Sequence, residues 1–186
     1  IKWFAFSITG AYRYQFAKDW DGDHFTETPK LQRYMVSPQL FFDLSKHAKL
    51  NIGANYTSED RLGGTMEYVL SKNDSSYNYF EKNISNHISS NLRFEYDFES
   101  AGKLTLKNAV NYFTRDLKIP YYFFAGKQLA STSEINYHLI RKKHDVVVGL
   151  DFRTDQFQEN EDSSAVKRDY TFYTFGFFAQ YLYNLS

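Results

Sequence analysis

The chain has no cysteine among its 186 residues. That excludes disulfides, thiolate metal sites and a thiol nucleophile. No stretch approaches the roughly 18 consecutive apolar residues of a membrane-spanning helix. Neither sign of charge dominates, since 22 basic residues face 22 acidic ones. There is therefore no basic field to recruit nucleic acid or anionic lipid, and no nucleic-acid partner is expected. Catalytic signatures are missing as well. The 5 histidines are scattered, without HExxH or paired metal spacing, and no GxSxG, Walker loop or dinucleotide fingerprint occurs. The reading is a non-enzyme with no catalytic residue, metal or cofactor. No signal peptide precedes Ile1.

What is abundant is aromatic surface: 19% of the chain, with 16 Tyr and 18 Phe. Tyrosine and tryptophan are amphipathic rings that settle at membrane–water boundaries, where barrels concentrate them in girdles. The mean hydropathy of −0.57 is nonetheless that of an ordinary soluble protein. Alternation reconciles the two. Over residues 87–98, His87, Ser89, Asn91, Arg93, Glu95 and Asp97 take the odd places, while Ile88, Ser90, Leu92, Phe94, Tyr96 and Phe98 take the even ones. A helix would mix these sets on one face, whereas a strand separates them, giving one face to water and the other to hydrocarbon.

About eight such segments follow one another, near 2–18, 31–44, 48–59, 87–98, 103–116, 127–140, 144–157 and 168–184. Pro38 predicts a bulge or local irregularity in the second, because it cannot donate to a ladder. Asn108 breaks the apolar face of the fifth without an evident reason. The connectors alternate: short near 45–47, 100–102 and 141–143, long near 19–30, 60–85, 117–126 and 158–167. Short periplasmic turns and long extracellular loops are how outer-membrane barrels are wired. The expected fold is thus all-β, with antiparallel transmembrane barrel strands. Its competitor is a soluble β-sandwich, which also alternates. Sandwich strands are usually nearer five or six residues, however, and their turns show no such long–short parity.

Several segments resemble barrel strands of TonB-dependent outer-membrane receptors. They are residues 36–44 (VSPQLFFDL), 59–64 (EDRLGG), 106–115 (LKNAVNYFTR), 124–128 (FAGKQ) and 133–137 (SEINY), then 149–152 (GLDF), 168–170 (RDY) and 176–180 (GFFAQ). The resemblance runs in order over nearly the whole chain. It implies about eight consecutive strands of a larger wall, roughly 22-stranded in that family. It also implies an N-terminal plug domain and a TonB-binding segment, neither visible here. The implied partners are outer-membrane lipid, TonB, the plug and a small nutrient ligand. The implied activity is import of a ferric siderophore, haem, cobalamin or oligosaccharide, driven through TonB by the proton gradient of a Gram-negative cell. The chain opens inside a strand pattern and stops at Tyr183-Asn184-Leu185-Ser186, so both ends look cut. The alternatives are a complete eight-stranded small barrel acting as anchor or adhesin, and a soluble carbohydrate-binding sandwich.

Candidate ligand contacts are the loop aromatics Tyr77, Tyr79, Phe80, Tyr121, Tyr122 and Phe123, whose rings could stack on flat or sugar faces. The bland reading is that these loops pack on one another or form the outer girdle. Asp19-x-Asp21-Gly22-Asp23 hints at a calcium loop but lacks the terminal Glu of an EF-hand, so it reads as a solvated turn. Glu134 and His138 could share an inward face, which a polar lumen explains without chemistry.

Overall fold

A computed structural model describes residues 3–71, 79–160 and 168–185. Eight antiparallel strands form one sheet in chain order. They are β1 (Phe4–Gln15), β2 (Lys30–Asp43), β3 (Ala48–Gly64), β4 (Phe80–Asp97), β5 (Lys103–Ile119), β6 (Tyr122–Arg141), β7 (His144–Glu159) and β8 (Tyr170–Tyr183). A short helix α1 (Met66–Ser71) follows β3, and a single 3-10 turn (Glu99–Ala101) precedes β5. Among the described residues no helix is long and apolar enough to cross a membrane.

The sheet is a plain meander in which β1 pairs only with β2 and β8 only with β7, so it is not closed. An eight-stranded barrel sealed on itself is therefore not what these strands form. Nor, among the described residues, does a second sheet cover either face, as a sandwich would require. Among the described residues the buried hydrophobic side chains are only Leu31, Ala48, Val69 and Ala125.

Register sorts the faces across the whole sheet. One hydrogen-bonded row reads Phe4, Phe42, Leu50, Phe94, Leu106, Ile135, Leu150 and Phe177, apolar on every strand. The row one residue away, on the opposite face, carries Asn51, Arg93, Lys107, Glu134 and Asp151 over β3 to β7. Slipping any strand by one residue would exchange the two sets, which is why the pattern fixes the register. Asn108 now has an account: its Nδ2 donates to Ser133 Oγ at 2.9 Å across the β5–β6 ladder. At Ser37–Pro38 the ladder to β3 lapses, yet pairing resumes in unchanged register at Gln39↔Gly53. The irregularity at Pro38 is a missing rung rather than a bulge.

The short connectors are tight. Ser45 Oγ accepts from His47 N at 3.1 Å and Ala48 N at 3.0 Å. Gly102 sits at φ 111°, and a Cβ there would lie 2.7 Å from the His138 carbonyl, so only glycine fits. Two expected long loops are corrected. Residues 117–126 are not a loop: β5 runs to Ile119, β6 starts at Tyr122, and Pro120-Tyr121 make the turn. Proline fixes the first corner and Tyr121 adopts φ 65° at the second, as in a type II turn. The segment 60–85 is shorter as a loop than expected, because β3 extends to Gly64 and β4 begins at Phe80.

Candidate functional site

Two of the long connectors, β1–β2 and β3–β4, meet at one end of the sheet and build a rim. Lys18 and Thr28 bridge the base of the β1–β2 connector, with N–H···O bonds of 2.9 and 3.1 Å. Its tip is then tied to the β3–β4 connector. Thr26 N donates to the Gly64 carbonyl at 3.0 Å, and Met66 N donates to the His24 carbonyl at 2.8 Å. Gly64 is required there, since φ is 126° and a Cβ would stand 2.4 Å from the Tyr79 carbonyl.

The predicted aromatics divide between separate places. Tyr77 lies outside the described residues. Tyr79 rests its ring 6.3 Å from Phe25, and Phe80 stacks on Tyr68 at 4.4 Å and 7°. These two serve the packing of the rim. Tyr121 is fully exposed at the hairpin tip. Tyr122 and Phe123 belong to β6, not to a loop, and as consecutive strand residues they point to opposite faces. One ligand cannot rest on both. Tyr122 faces Arg168, which also lies 5.4 Å over Phe124 and reaches buried Glu159 with Nε at 2.6 Å. The Glu159 carboxylate first, then Tyr122, raise the Arg168 pKa above its ordinary value.

The acidic connector folds on its own backbone. Asp19 accepts from Gly22 N at 2.7 Å and His24 N at 2.9 Å, Asp23 from Phe25 N at 2.8 Å, and Glu27 from Trp20 N at 2.7 Å. The Gly22 N–H, aided by those of His24 and Asp21, lowers the Asp19 pKa. The Asp23 N–H pulls Asp21 the same way, but desolvation and the charges of Asp23, Glu27 and Asp19 outweigh it and raise its pKa. Carboxylate oxygens of Asp19, Asp21, Asp23 and Glu27 lie within 4.8 Å of one another, so these are the side chains that could meet a hard cation. The hydrogen bonds show their structural use, which is to turn the loop.

The polar face carries a chain of ion pairs. Arg33 grips Glu59 across β2–β3, with Nε at 2.6 Å. Glu95 takes Arg93 Nε at 2.7 Å and Lys103 at 3.0 Å. Glu134 takes Lys107 at 2.9 Å and Asn136 at 2.7 Å, and Asp151 takes Arg153 at 3.1 Å. Glu134 and His138 share this face as expected but do not pair, because His138 instead meets Asp145 at 2.7 Å.

Between the Arg33–Glu59 pair and Gln128 the polar face dips into a depression of about 370 Å³. Phe113 is a half-buried ring within it, 6.3 Å from the His87 imidazole, which contacts Asn111 Oδ1 at 3.3 Å. Sequence reasoning missed this group. The signal was an aromatic at polar-face parity in β5, surrounded by amides and charges. The chain matches no protein-family model, no curated protein and no solved structure.

Proposed function

We propose that this chain is a wall segment of a TonB-dependent outer-membrane receptor that imports a scarce nutrient. The observation that carries the reading is the uncovered apolar face. Phe6 (68%), Phe175 (81%) and Phe177 (73%) lie largely bare on that face, Phe177 at the end of the row that is apolar on all eight strands. Monomeric soluble proteins rarely expose contiguous apolar patches of more than a few hundred Å², whereas a bilayer supplies hydrocarbon to cover one.

The tyrosines on that face support the same reading. An upper series comprises Tyr12 and Tyr34, then Tyr56 and Tyr112 one row lower, then Tyr173 a further row down. A lower series holds Tyr96 and Tyr137 in one row and Tyr181 in the next. Along β5, Leu104 (opposite Tyr96) and Tyr112 lie about 27 Å apart at ~3.4 Å per residue. Tilted by ~40°, that spans roughly 20 Å, close to the ~25 Å apolar band of barrels. The descent of the upper series across the sheet corresponds to a tilt of roughly 25° at strand spacings of ~4.8 Å. That is the order of the ~35–45° found in closed barrels.

The free edges of β1 and β8 argue for more wall. An unpaired backbone group in hydrocarbon costs several kcal/mol, so both edges need neighbouring strands. The family resemblance supplies the remaining parts as expectations: a plug, TonB coupling and an inward-facing polar lumen. The test is to extract the native protein carrying these peptides from outer membranes. A mass several times 22.0 kDa, with ligand uptake abolished by deleting TonB, supports the reading. A mass near 22.0 kDa, or uptake indifferent to TonB, overturns it.

A further inference from the structure

We infer that the depression around Phe113 is a contact site for a neutral, polyhydroxylated ligand, an oligosaccharide rather than an anionic iron chelate or a haem. The inference rests on the importer reading and names its cargo class. Position comes first. The row of His87, Phe113 and Gln128 lies one residue above the row of Tyr56, Ile88, Tyr112 and Leu129, on the opposite face. The depression therefore stands at the height of the upper tyrosine series, near the rim end where a solute would enter. Its volume of about 370 Å³ falls at the small end of the ~300–1,000 Å³ range of ligand clefts.

The lining chemistry then selects the class. Asn111, Gln128, His87 and the hydroxyls of Thr57 and Ser85 all lie in the depression. Amides and hydroxyls both donate and accept, which matches sugar hydroxyls, themselves donors and acceptors. Phe113 offers an apolar ring for the C–H face of a pyranose. Arg33 is the only Lys or Arg in the lining, and Glu59 engages it through two guanidinium nitrogens. An anionic chelate would have to displace that carboxylate, and a haem would lack an apolar slot, since Phe113 is the sole aromatic carbocycle in the lining.

The experiment uses the full-length protein in nanodiscs and calorimetric titration. The probes are a panel of neutral malto-, cello- and xylo-oligosaccharides, set against ferric dicitrate, a ferric catecholate, haemin and cyanocobalamin. A neutral oligosaccharide should bind, Phe113→Ala should weaken it about tenfold, and Phe113→Tyr should stay within about threefold. Heat-modifiable migration of each variant shows that the barrel still assembles. Binding by no neutral oligosaccharide, or an affinity untouched by Phe113→Ala, overturns the inference and leaves TonB-dependent uptake, measured separately, to stand. Recovery of the native protein from the soluble fraction overturns the importer reading and this inference together.

Discussion

The two faces of the sheet share one backbone but satisfy their side chains by opposite means. On the polar face most charges meet a partner within the sheet: Arg33 with Glu59, Lys107 with Glu134, Arg153 with Asp151. On the apolar face little is completed internally, and many Phe, Leu and Ile side chains stand exposed, with their row neighbours only half-buried. One face is a finished surface and the other needs an environment. On the proposed reading the sheet takes its stability from what surrounds it, and hydrocarbon is that surround.

The largest expected effect comes from putting one charge on each face. Ile52 lies on the apolar face between Leu40 and Leu92, while Asn55 lies on the polar face opposite Ser89. For the full-length protein folded into vesicles, Ile52→Arg should cost about 2–4 kcal/mol in urea unfolding, as expected for arginine near the bilayer midplane. Asn55→Arg should stay within ~0.5 kcal/mol. Equal costs at the two positions would mean that the apolar face does not meet lipid.

Adding a methyl group sharpens the contrast. A Cβ on Gly149, on the polar face, would sit 2.3 Å from the Phe178 ring and 2.9 Å from the Ile135 carbonyl. The ring can swing away but the carbonyl cannot, so Gly149→Ala should destabilise by roughly 1–3 kcal/mol. On the apolar face Gly10 has its nearest neighbour 3.9 Å away. Gly10→Ala should be neutral or stabilising by up to ~1 kcal/mol through the unfolded chain. The same unfolding series measures both.

At the rim, Arg168→Ala removes the guanidinium from buried Glu159. Arg168 is itself 59% exposed, so solvent screening should keep the loss small, and Glu159 Oε2 still accepts from the Arg168 N–H at 3.1 Å. Faster amide exchange at Glu159 and Arg168, with β4 unchanged, is the expected readout. Uniform loss of protection would show that the pair supports the whole sheet.

The same contrast explains what could be read from the sequence. β4 was legible because from Ile88 to Tyr96 one of its faces is apolar but for Ser90, while the other carries polar and charged residues, so period two stands out. The top of the β5–β6 hairpin was not. There Leu117 falls at polar-face parity and Lys118 at apolar-face parity, and the alternation dissolves although the ladder continues. On the proposed reading these residues lie above the tyrosine series, where water wets both faces and nothing enforces alternation. Site residues were partly legible for a related reason. Composition picked out Tyr79 and Phe80, but not that Phe25 and Tyr68 would absorb them into the rim. Phe113 needed the opposite kind of attention, a single ring out of place on a polar face.

The smallest effect belongs to the acidic connector, where water reaches every carboxylate. Asp19 has a lowered pKa, chiefly from the Gly22 N–H. Its contribution to loop order is therefore complete above the ordinary carboxylate value and is lost only as pH falls through the lower, folded one. Asp21 has a raised pKa and works in the opposite sense, taking up a proton first on acidification and relieving the crowding by Asp23, Glu27 and Asp19. The connector should thus stay ordered through mild acid and loosen only below the usual carboxylate range. Trp20 can report this, because its Nε1 donates to Thr28 Oγ1 at 3.0 Å and its ring lies 3.2 Å from the Lys18 ammonium. A 5-fluorotryptophan at position 20 should hold its ¹⁹F shift until that lower pH and then move. Asp19→Asn should remove this late transition while sparing the sheet. A shift that moves at the ordinary carboxylate value, in wild type and variant alike, would show that the Asp19 bonds do not order the loop.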